Sequence, residues 1–119
     1  MEHGKMMLND YQFLAQRTSR KDLHPGEHLL NGMLGLAGET GECCDLVKKR
    51  NFQDSRKIKD ALKEELGDVM WYACEAASAL GLYLEEVAQY NIEKLKRRYP
   101  DGFDAEHSLH REEGGSGGH

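Results

Sequence analysis

The sequence predicts an all-α domain, and three observations carry that reading. Apolar residues between Pro25 and Pro100 recur at three and four positions and not at two. Proline occurs only twice in 119 residues, so little interrupts the helical pattern. Hydrophobic residues make up 39% and charged residues 31%, which is too apolar for a disordered chain and too interrupted for a membrane span of about 20 apolar residues. The length fits one domain, expected over residues 1–106, with a flexible polar tail over residues 107–119.

A first short helix is expected from Asn9 or Asp10, either of which can cap it. It carries Tyr11, Phe13, Leu14 and Gln16 before Thr18 and Ser19 weaken the pattern, and it reads as peripheral. Lys21–Gly26 reads as a linker, because Pro25 biases His24 away from helix and Gly26 adds freedom. A long second helix follows from about Glu27 to Arg50, with Leu30, Leu34, Ala37, Gly41 and Cys44 as its core stripe. Asn51–Ser55 is the next break. Ile58, Leu62, Leu66, Val69, Met70, Ala73, Ala77 and Leu80 then mark a third helix, which Gly81 ends. The fourth helix carries Leu84, Val87, Ala88, Asn91, Ile92 and Leu95 and stops near Tyr99, before Pro100.

The formal net charge of −5 argues against a nucleic-acid polymer as partner, although Lys94, Lys96, Arg97 and Arg98 form one basic cluster. Cys43, Cys44 and Cys74 match no disulfide or zinc spacing and read as reduced thiols packed as small apolar groups. Met1–Met7 lacks the apolar run of a secretory signal, so a cytoplasmic protein without a membrane partner is expected. His24 and His28 flank the linker and read as surface histidines.

Chemistry concentrates on two helices. Residues three apart on a helix project within about 60° of each other, so Glu39 and Glu42 share a face, and so do Glu65 and Asp68. The second face continues through Tyr72 to Glu75. Both acidic faces are expected opposite the leucine stripes. Gly32, Gly35 and Gly38 lie on or beside the first acidic face, where each costs about 0.5–1 kcal/mol relative to Ala. Close approach of a backbone or a ligand would offset that cost. If the helices run antiparallel, the four carboxylates meet in one cleft, a donor set suited to Mg²⁺ and the phosphates it carries. A di-iron bundle would require Glu-x-x-His pairs, and neither Glu39 nor Glu65 has a His three residues on. On the fourth helix Asn91, Lys94 and Arg98 form one stripe able to offer an amide and two cations to a polyphosphate, and Trp71 and Tyr72 can stack on a base.

Gly38-Glu39-Thr40-Gly41-Glu42 followed by Glu65-Leu66-Gly67-Asp68 resembles the signature of MazG-like all-α nucleoside triphosphate pyrophosphohydrolases. Asn91-Ile92-Glu93-Lys94 and Arg98-Tyr99-Pro100 are similar to the family's Asn-x-x-Lys and Arg-Tyr-Pro ending, so the likeness runs from about Leu29 to Phe103. It implies a four- to five-helix bundle completed by oligomerisation, as a homodimer or homotetramer. It also implies hydrolysis of a (deoxy)nucleoside triphosphate to monophosphate and pyrophosphate, in nucleotide-pool house-cleaning. Glu39, Glu42, Glu65 and Asp68 are then the catalytic ligands of Mg²⁺ or Mn²⁺, and Asn91 and Lys94 match positions that contact the phosphates or sugar. To these the stripe and ring chemistry above adds Arg98, Trp71 and Tyr72 as expected substrate-binding residues. The family motif begins with two adjacent acids, and Gly38 replaces the first, which leaves the activation of water open between Glu42, Glu64 and the metal. A phosphoribosyl-ATP pyrophosphohydrolase, a catalytically silent nucleotide-binding oligomer and a plain helical interaction module are the alternatives.

Overall fold

The computed structural model describes residues 4–49 and 55–102. They form α1 (Leu8–Gln16), α2 (Pro25–Lys48), α3 (Ser55–Ala79) and α4 (Leu84–Arg98), with no strand among the described residues. The chain divides into two compact units, Met1–Leu84 and Glu85–His119. α2 ends at Lys48, ahead of the expected Arg50, and Ser55, expected in the break, begins α3; residues 50–54, Phe103 and the tail lie outside the described residues.

In the first unit α2 and α3 form an antiparallel pair, since His28 meets Glu75, Gly32 meets Ala76 and Gly35 meets Tyr72. Glycine makes this approach feasible. A Cβ on Gly32 would lie 3.0 Å from the Ala76 nitrogen, and one on Gly35 would overlap the Tyr72 ring. The close approach expected of the helical glycines thus holds at these two positions. It does not hold at Gly38, whose missing Cβ would have no neighbour within 4 Å among the described residues.

The burial pattern reverses the expected orientation of α2. Leu30 and Leu34 are 60% and 65% exposed, Ala37, Gly41 and Cys44 are exposed as well, and the inward face carries His28, Gly32, Gly35, Glu39 and Cys43. On α3, Leu66 and Met70 are likewise exposed, whereas Tyr72 and Glu75 face the interior. The physical reason is that the helices meet through small residues and a polar network, which need a short separation that leucine side chains would prevent.

That network centres on Glu75, which is 1% exposed. Its carboxylate accepts from Gln16 Nε2 (3.0 Å), Ser19 Oγ (2.8 and 3.1 Å) and His28 Nδ1 (2.8 Å). His28 is therefore a structural residue and not the surface histidine expected. Beside Glu75, Cys74 is fully buried, in keeping with a thiol packed as a small apolar group.

α1 is more integral than expected, because Gln12, Ala15 and Ser19 are all buried. Gln12 donates to Ser78 Oγ (2.9 Å) and the Leu82 carbonyl (3.0 Å) and accepts from the Leu84 N–H. Trp71 Nε1 donates to the Ala15 carbonyl (3.2 Å) and Thr18 Oγ1 (2.8 Å). The helix starts earlier than Asn9 suggested: Met7 is the N-cap residue and its N–H donates to Asp10 Oδ2 (3.0 Å). α2 also starts earlier, with His24 as N-cap and Pro25 at the first helical position, where its missing N–H costs nothing. Glu27 Oε1 accepts the His24 N–H at 2.9 Å, so Pro25 and Gly26 belong to the helix and not to the linker.

α3 ends as read from the sequence. Gly81 adopts φ +73°, Leu82 N–H bonds the Ala77 carbonyl at 2.9 Å, and Gly81 N–H bonds that of Ser78 at 3.0 Å. In the second unit α4 carries Glu85 and Glu86 in its first turn and Lys96, Arg97 and Arg98 in its last, the order that suits the helix dipole. Its end near Pro100 also matches the expectation.

Burial alone would raise the Glu75 pKa, but the bonds from His28, Gln16 and Ser19 outweigh it and hold the carboxyl below its ordinary value. A lowered folded-state pKa stabilises the fold above the unfolded value and loses that contribution as pH falls through the folded value. Glu75→Gln is therefore expected to cost about 1–3 kcal/mol at pH 7, and the gap from wild type should narrow below about pH 4. Urea midpoints at both pH values check this; a gap independent of pH would count against an ionised Glu75.

Candidate functional site

The helix pairing also builds the acidic site. One turn beyond Gly35 on α2 stands Glu39, and one turn before Tyr72 on α3 stands Asp68, with Glu65 three residues earlier. Because Gly35 lies against the Tyr72 ring, these next turns face each other. Glu39, Glu65 and Asp68 accordingly each place one carboxylate oxygen within 4.8 Å of the others. Glu39 and Glu65 are half-buried and Asp68 is exposed.

A hydrogen bond between the Glu39 and Glu65 carboxyls, then burial, then the charges of Glu39 and Asp68 raise the Glu65 pKa. Like charges at this distance favour one shared proton, unless a cation replaces it. Cys43 lies one turn past Glu39. Its thiol is raised by burial first and then by the charges of Glu65, Cys44, Glu39 and Asp68.

The remaining residues fall out differently. Glu42 is exposed and stands outside the three-carboxylate group. Trp71 and Tyr72 are half-buried and pack edge to face, with centroids 5.1 Å apart and planes at 85°. Trp71 spends its N–H on α1, and Tyr72 covers Gly35. Asn91, Lys94 and Arg98 belong to the second unit, where they share one stripe of α4. Arg98 Nε is buried there without a hydrogen-bond partner among the described residues.

Tyr11 is the residue the sequence reading missed. Its phenol is raised by burial first and then by Cys74 and Asp68, which places α1 within electrostatic reach of the acidic group. The available signal was its spacing: Tyr11 and Ala15, four residues apart, share a face of α1, and the Ala15 carbonyl accepts the Trp71 N–H.

The upward shift of Glu65 is measurable. In metal-free buffer Glu65 should titrate above the ordinary glutamate value of about 4.3, and Glu39→Gln should lower it more than Asp68→Asn does. Carbon-detected NMR of the side-chain carboxyls reads this directly; an ordinary Glu65 value in wild type would refute the pairing.

Comparison with known proteins agrees with this geometry. The family model for the MazG nucleotide pyrophosphohydrolase domain matches residues 28–103, which include all three clustered carboxylates and the whole of α4. The chain is also 35% identical over 108 residues to the Gene 37 protein of Mycobacterium phage L5, covering 82% of this chain and 92% of that protein. No solved structure matches it. Helical architecture, paired carboxylates and the family match together assign the chain to the MazG nucleotide pyrophosphohydrolase family.

Proposed function

We propose that this protein hydrolyses a (deoxy)nucleoside triphosphate to the monophosphate and pyrophosphate, as a house-cleaning enzyme of the cytoplasmic nucleotide pool. The observation that carries the reading is the approach of Glu39, Glu65 and Asp68 from two helices. Three carboxylate oxygens within 4.8 Å of one another fit a hard divalent cation, whose charge would offset their mutual repulsion. Mg²⁺ or Mn²⁺ bound there would neutralise polyphosphate charge and acidify a water. Glu39, Glu65 and Asp68 would hold it, with Glu42 at the exposed edge as the fourth acid that the motif assigns.

Asn91, Lys94 and Arg98 would bind the phosphates and sugar, and the unpartnered Arg98 Nε supports a role for an anion at that position. Trp71 and Tyr72 would offer ring faces to the base, since the Trp71 N–H is already committed to α1. Assembly as a homodimer or homotetramer is supported by the exposed Leu30, Leu34, Leu66 and Met70, an apolar surface of the kind that marks protein interfaces. No helix among the described residues is long and apolar enough to cross a membrane.

A second reading, a nucleotide-binding oligomer without turnover, is favoured by Gly38, which replaces an acid of the family motif. Pyrophosphate release across ordinary and modified (deoxy)nucleoside triphosphates and phosphoribosyl-ATP, with Mg²⁺ and with chelator, separates the readings. Metal-dependent release is expected, with Glu65→Gln and Asp68→Asn each lowering kcat/KM by about 10²-fold or more while remaining folded. Binding without turnover would establish the second reading. Sedimentation velocity should show an assembly that Leu34→Glu dissociates, and a wild-type monomer would exclude oligomerisation.

A further inference from the structure

A second cleft, of about 560 Å³, lies between α1 and the C-terminal end of α3, in the size range of small-molecule sites. It is separate from the acidic group. Ser78 in its wall is ten residues from Asp68 along α3, a distance of about 15 Å at the helical rise.

Its lining has a definite chemistry. Phe13 and Tyr83 border it although they are 73% and 64% exposed, so two aromatic side chains stand at a cleft with much of their surface in water. Arg17 and Lys21 also line it, and no carboxylate does among the described residues. Arg17 has no ion-pair partner among the described residues, in contrast to Arg20, which Asp22 holds at 2.7 Å. Among the described residues Lys21 Nζ donates at 3.4 Å to the Gln16 carbonyl and to no carboxylate. The floor is fixed in advance: Gln12 is buried with its amide bonded to Ser78, Leu82 and Leu84, and Gln16 is tied to Glu75. Aromatic surface, uncompensated positive charge and a rigid amide floor together suit a planar aromatic anion.

We propose that this cleft is a second ligand site, taking a nucleoside monophosphate with its base against Phe13 and Tyr83 and its phosphate toward Arg17 and Lys21. The narrowing from aromatic anion to nucleotide rests on the function proposed above, whose product has this chemistry. A site of this kind would let product concentration act on the protein away from the acidic group.

Isothermal titration of the full chain with AMP, GMP, CMP and UMP in EDTA tests this without a divalent ion at the carboxylates. At least one of the four should bind with Kd below about 1 mM, and Arg17→Glu and Phe13→Ala should each weaken it about tenfold or more, while Glu65→Gln leaves it within about twofold. Phe13 is exposed, so its variant guards against a folding defect in the other. Absence of binding for all four nucleotides, or wild-type binding by both cleft variants, would overturn the site. Loss of binding in Glu65→Gln would do so too, by moving the ligand to the acidic group. A protein that releases no pyrophosphate yet binds a monophosphate in this Arg17-dependent way keeps the site and loses the proposed activity.

Discussion

Glu75 is a carboxylate almost without access to water, and removing such a charge from solvent is costly unless hydrogen bonds replace its hydration. Here the replacements come from three parts of the chain: Gln16 at the end of α1, Ser19 just beyond it, and His28 near the start of α2. A charge satisfied in this way fixes more than one contact. It sets the level at which α2 passes α3 and pins the turn between α1 and α2 over that crossing.

Once His28 and Glu75 are joined, the rest of the α2–α3 pairing follows from helical geometry. Gly32 falls against the Ala76 backbone, Gly35 under Tyr72, and Glu39 opposite Asp68 and Glu65. Each step is one helical turn, so the His28–Glu75 hydrogen bond at one end and the acidic site at the other are two readings of one register. A polar network is well suited to this role, because hydrogen bonds accept only one register whereas apolar surfaces tolerate slippage. The glycines complete the arrangement. They give up helix propensity and in return permit a separation at which carboxylates on neighbouring helices meet.

The same separation explains why the leucines lie outside. Two helices that meet through glycine, alanine and a polar network cannot also place Leu30, Leu34, Leu66 and Met70 between them, and each of those side chains is exposed. α1 then closes the remaining side of α3 through Gln12 and Trp71, and leaves beside it a cleft whose floor is built from the same amides that anchor the helix.

Much of this was determined by the sequence alone. Periodicity and the two prolines define the helices, Gly81 and Pro100 end two of them, and the Glu39–Glu42 and Glu65–Asp68 spacings put acids on common faces, because all of these are local properties of a helical backbone. The start of α2 was misplaced because a proline can either precede a helix or occupy its first position, and only the Glu27 contact to His24 decides between the two. Tertiary structure decided which face turns inward, since amphipathicity identifies an apolar stripe without saying whether a partner helix or the surface receives it. It likewise decided that His28 bonds the buried Glu75, and that Glu39, Glu65 and Asp68 converge while Glu42 stands outside. Those outcomes depend on the distance and register between elements remote in the chain, which no spacing within one helix encodes.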